Sequence, residues 1–75
     1  MLKIKIKLKE AMKSRGITQM QLKEMSGVRQ AAISELCRND RVEVNLHMLE
    51  KIADALNISD ISELLQFEED KKDFL

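Results

Sequence analysis

Thr18-Gln19-Met20-Gln21-Leu22-Lys23-Glu24-Met25-Ser26-Gly27-Val28-Arg29-Gln30-Ala31-Ala32-Ile33-Ser34-Glu35-Leu36 is the stretch of this 75-residue chain whose reading decides the fold. The Thr18 hydroxyl can accept an orphan backbone N–H, so a helix starts there and runs to about Ser26. Gly27 stops it, because glycine accepts the positive φ of a sharp turn. A following helix runs from about Arg29 or Gln30 to Arg38, with Ile33 and Leu36 as its apolar teeth. Leu22 and Ile33 lock the two helices across the turn, and Val28 and Leu36 anchor the pair to a core. This is a helix-turn-helix pattern, and the same pattern serves as an ordinary tight hairpin in small bundles.

Outward from this pair the helical period continues. Leu8, Ala11 and Met12 line an earlier helix that lacks a good N-cap at Lys7 and ends at Gly16. Asn39-Asp40-Arg41 breaks the helix after Leu36. Asn45 caps a fourth helix with Leu46, Leu49, Ile52, Ala53 and Leu56 inward, and Ser59 or Asp60 caps a short fifth containing Ile61, Leu64 and Leu65. The two ends of the chain read differently. Leu2, Ile4, Ile6 and Leu8 alternate with lysines in the period of a half-buried strand, and Leu65-Gln66-Phe67 alternates before Glu68, Glu69 and Asp70. One strand cannot stand alone, and the acids at the second suit the lysines of the first.

Thr18-Gln19, Gly27-Val28, Ile33-Ser34 and Leu49-x-x-Ile52-Ala53-x-Ala55-Leu56 together resemble the Cro and cI-type phage repressor family over roughly residues 8 to 66. That resemblance implies a compact all-α, five-helix, lambda-repressor-like DNA-binding domain. The flanks resemble a small subset of the family in which short terminal strands pair, here about residues 2–6 and 65–68 of a single domain spanning 1–75. Several positions depart from the family pattern. Lys23 stands where Ala is usual, so its stem must run along the helix pair with its ammonium in water. Arg29 replaces the usual Ser or Thr cap, and Asn39 replaces a Gly, which Asn can do because it tolerates left-handed backbone. Met12 and Cys37 occupy the places of a common Arg–Glu pair, and an apolar contact can replace such a pair without loss.

The resemblance implies that the third helix enters the major groove of double-stranded DNA, presenting Gln30, Ala31, Ser34 and Glu35 to the bases, while Gln19 meets the phosphate backbone. The residue chemistry agrees. Gln30 can read adenine through N6 and N7, Ala31 can touch a thymine methyl, and Glu35 can accept from cytosine N4. Glu35 also has an equally good alternative, an i,i+3 pair with Arg38. Arg29, Arg38 and Arg41 surround the same helix as candidates for phosphate contacts. The family role so implied is that of a transcriptional regulator, expected to be a repressor acting as a homodimer on a palindromic site. The small sheet or the neighbouring fifth helix is the expected subunit contact, so deleting residues 1–6, or Ile4→Lys, is expected to cost dimerisation or folding.

Composition narrows the alternatives. Residues 1–41 carry ten Lys/Arg against four acids, a net +6, and residues 42–75 carry three against nine, a net −6, so zero overall charge conceals two opposite halves. The first half could face a polyanion, or the halves could simply attract each other. A chain this short buries only about 60% of its unfolded surface. A single His47 and a single Cys37 leave no catalytic pair, no zinc cluster and no internal disulfide. An enzyme is therefore disfavoured, and no cofactor, metal or small-molecule substrate is expected. With no signal peptide pattern and no segment of membrane-spanning length, the expected setting is the cytoplasm. The competing reading is a helix-turn-helix protein-interaction module, an antitoxin-like or antirepressor partner.

Overall fold

The computed structural model describes residues 2–38 and 43–69. In chain order the elements are β1 (Leu2–Ile6), α1 (Leu8–Arg15), α2 (Gln19–Ser26), α3 (Gln30–Arg38), α4 (Leu46–Leu56), a 3-10 turn at Ile61–Glu63, and β2 (Leu65–Glu69). The boundaries follow local chemistry. Thr18 and Gln21 form a reciprocal capping box: the Gln21 N–H donates to Thr18 Oγ1 at 3.1 Å and the Thr18 N–H donates to Gln21 Oε1 at 2.9 Å. At the start of α4, Asn45 Oδ1 accepts from the Met48 N–H. Gly16 and Gly27 end α1 and α2 with φ of 67° and 77°, a backbone region that a side chain would strain. Asn57 ends α4 at φ 59°, and the Ile58 N–H reaches back to the Ala53 carbonyl to close the last turn.

Among the described residues the expected five helices are four. Asp60 caps as foreseen, its carboxylate taking the Ser62 N–H at 2.9 Å and the Ser62 hydroxyl at 2.8 Å. These two hydrogen bonds hold the Asp60 carboxyl below its ordinary range. The segment it opens is nevertheless only three residues of 3-10 helix. Continuation is blocked because the Leu64 carbonyl accepts from the Lys7 N–H and Leu65 already belongs to β2. Ile61, expected to face inward, is 67% exposed. The fold is thus mostly helical with a two-stranded antiparallel sheet, in which Ile4 faces Phe67, Lys3 faces Glu68 and Ile6 faces Leu65.

The core lies where α1, α2, α3 and α4 meet, with Ile6 and Leu64 closing it from the sheet side. Leu8, Leu22, Ile33, Leu36 and Ile52 are fully buried. Burying each such side chain stabilises the fold by about 1.5–3 kcal/mol. No polar or charged side chain is buried among the described residues. The Met12 and Cys37 sulfurs meet at 3.8 Å, as expected of an apolar substitute for an ion pair. Arg15 is an unforeseen fastener. Its Nε donates to the Leu56 carbonyl at 3.1 Å and its guanidinium meets Glu63 at 2.9 Å, tying the end of α1 to the end of α4 and the 3-10 turn.

Candidate nucleic-acid interface

Helix α3 divides cleanly by burial. Ala32, Ile33 and Leu36 are buried, while Gln30, Ala31 and Arg38 are exposed and Ser34 and Glu35 are half-buried. Positions 30, 31, 34 and 35 fall on one side of a 3.6-residue helix, so the four residues expected to read bases share one face, turned away from the core. Leu22 at 0% exposure beneath Ile33, also at 0%, fixes that face by holding α3 against α2. Val28, at the turn, is buried as expected.

The flanking residues differ in how they are held. Arg29 is exposed just ahead of α3, and its carbonyl accepts from the Ala32 and Ile33 N–H groups, so the backbone starts the helix without a side-chain cap. Arg38 donates to Ser34 Oγ at 3.1 Å, which draws the guanidinium back along the same helix face. Gln19 opens α2 half-buried, with its side chain near enough to the Cys37 thiol to act on its pKa. Burial pushes the Cys37 thiol pKa up and Glu10 acts in the same direction, against Lys9 and Gln19. The thiol is half-buried, packed against the core beside Met12. Arg41 lies outside the described residues, as does the Asn39-Asp40-Arg41 break.

A feature not read from the sequence lies beside the start of α3. An open groove of about 330 Å³ runs between Val28, Arg29 and Ala32 on one side and Asn45, His47, Met48 and Lys51 on the other. Asn45 caps α4 with its carbonyl oxygen, which leaves its amide NH₂ as a donor, and His47 is exposed with its Nδ1 3.2 Å from Glu50. His47 and Lys51 stand four residues apart on α4, a spacing that puts them on one face. That spacing was available in the sequence; the proximity of Arg29 was not, since it depends on how α3 and α4 pack. Among the described residues no cluster of His, Cys, Asp and Glu could hold a metal ion, and no helix is long and apolar enough to cross a membrane.

Comparison with known proteins agrees with this geometry. A family profile described as helix-turn-helix matches residues 8–64. Among solved structures, a Bacteroides fragilis protein assigned as DNA-binding superposes with a TM-score of 0.72 at 28% identity, covering 85% of this chain and all of that one. The transcriptional regulator VanUg superposes with a TM-score of 0.70 at 23% identity, covering 92% of this chain and 89% of that one, a likeness of fold. No curated protein sequence matches the chain.

Proposed function

The chain belongs to the Cro/cI-like helix-turn-helix family, and on that premise we propose that it is a sequence-specific DNA-binding transcriptional regulator, a cytoplasmic repressor that reads the major groove as a homodimer on a palindromic site. The observation that carries this reading is the face of α3: Gln30, Ala31, Ser34 and Glu35 together on the side opposite Ala32, Ile33 and Leu36. Gln30 and Ala31, both exposed in the first turn, suit an adenine edge and a thymine methyl. Ser34 already accepts from Arg38, so its hydroxyl hydrogen remains for a base acceptor. Glu35 suits a cytosine amino group. Arg29, Arg38, Arg41 and Gln19 would position the helix through phosphates, and the Asn45, His47 and Lys51 wall adds donors beside Arg29. The B. fragilis likeness supports the DNA-binding part of the reading.

A second reading, a protein-interaction module, draws on the apolar rim that α2 offers, where Met20 and Met25 are 55% and 51% exposed. Salt separates the two. Phosphate contacts release condensed counterions, so a dimer using the cations above should lose DNA affinity with a log–log salt slope of magnitude roughly 4 to 8. Fluorescence anisotropy on genomic fragments across a salt series measures it. A flat response, or no binding at low salt, sinks the DNA reading in favour of the protein partner.

A further inference from the structure

The groove beside the start of α3 is lined in part by His47, the one imidazole of the chain, and a carboxylate holds that ring in a particular way. His47 Nδ1 lies 3.2 Å from Glu50 Oε1, about one turn further along α4. A carboxylate only accepts, so in the neutral ring this hydrogen bond claims the single ring hydrogen for Nδ1 and leaves Nε2 as a lone pair. The protonated ring carries a second hydrogen, on Nε2. The remaining walls suit an anion. Arg29, ahead of α3, and Lys51, on α4, line the groove together, Asn45 adds its amide NH₂, and no carboxylate lines it among the described residues. Neither Arg29 nor Lys51 meets a carboxylate of the described residues elsewhere.

We propose that this groove takes a phosphate group and that His47 admits it by gaining a proton. The neutral ring would set the Nε2 lone pair against a phosphate oxygen, whereas the imidazolium donates Nε2–H to that oxygen while Nδ1–H continues to donate to Glu50. The inference rests on the DNA-binding reading above, in which the phosphate is a backbone diester, and adds a proton to that contact. A free phosphate ion would be held by the same chemistry. The charged groups about the ring are Glu50 on its own helix and Arg29 and Lys51 on the groove walls, and an arriving phosphate supplies the negative charge that favours the imidazolium. Imidazoles exchange their proton between about pH 5 and 8, where a diester keeps its charge. DNA affinity should therefore rise as pH falls through that range, with up to about one proton taken up per subunit.

The proton can be watched directly. His47 is the only histidine, so its ring resonances report its titration by NMR without interference from another imidazole. On a duplex selected by wild type from random DNA the midpoint should rise by at least about half a pH unit, which corresponds to a roughly threefold tighter complex with the imidazolium. Fluorescence anisotropy should show the same gain of roughly threefold between about pH 8 and pH 5.5 in wild type and none in His47→Gln. His47→Lys, charged throughout, should keep the low-pH affinity at pH 8. DNA binding with an unmoved midpoint, or a His47→Gln profile that matches wild type, overturns the inference and leaves the DNA reading standing. If no duplex binds at any pH, the DNA reading falls and inorganic phosphate decides the groove, measured against chloride of equal ionic strength. A midpoint raised by millimolar phosphate then supports a free-phosphate site, and an unmoved one ends the proposal.

Discussion

Ile33→Ala is expected to abolish DNA binding by unfolding the domain. Ile33 is completely buried in the core, where Leu8, Leu22, Leu36 and Ile52 are likewise fully buried and cannot move to fill a gap. Truncating such a side chain removes its transfer free energy and leaves a cavity, together about 2–5 kcal/mol. A single core in a chain below about 80 residues supplies about 3–5 kcal/mol of net stability, so the loss is comparable with the whole. Thermal unfolding followed by circular dichroism should show the midpoint lowered by at least about 10 °C or no transition at all. Ile33→Val should cost only about 0.5–1.5 kcal/mol and keep binding. An Ile33→Ala protein that melts like wild type would mean that α3 is not held by the α2 contact described here.

Deleting residues 1–6 is expected to be nearly as damaging, and the structure separates the causes. Ile6 is 5% exposed and belongs to the core, and β1 is the only partner of β2 among the described residues. Removing the segment forfeits about 1.5–3 kcal/mol of Ile6 burial and leaves β2 without a ladder. The Lys7 N–H would still reach the Leu64 carbonyl, but from a chain end. The truncated chain should therefore melt well below wild type. Ile4→Lys, which the alternating pattern put on a par with the deletion, separates from it: Ile4 is 62% exposed, so that variant should fold normally. If the truncated chain has an unchanged melting curve, Ile6 and the sheet contribute nothing to the fold.

What was legible in the sequence was what is local. Thr18, Gly27, Asn45, Gly16 and the apolar spacings around Leu22, Ile33 and Ile52 act within a turn or two of themselves, and each element they mark is present. The pairing of the chain ends was readable because alternation and opposite charge coincide in β1 and β2. The fifth helix failed for a non-local reason: Leu64 is taken by Lys7, more than fifty residues away, before a second turn can form. Arg15 was invisible for the same reason, since its partners Leu56 and Glu63 are 41 and 48 residues distant. At the candidate interface the exposed face of α3 followed from its period. The nearness of Gln19 to Cys37 and the place of Arg29 and Lys51 on one groove required the packing of α2, α3 and α4.

The central claim is that α3 reads bases, and Gln30 is the residue that tests it most directly, being exposed, in the first turn and absent from the core. The measurement is the affinity of wild type and Gln30→Ala for a duplex selected by wild type from random DNA, for its single-base variants, and for an unrelated duplex. The expected result is a loss of about 1–3 kcal/mol on the selected duplex, with preference relaxed at one base pair per half-site and binding to unrelated DNA unchanged. Equal losses on selected and unrelated DNA would show that Gln30 does not read a base and would contradict the assignment of α3 as the reading helix.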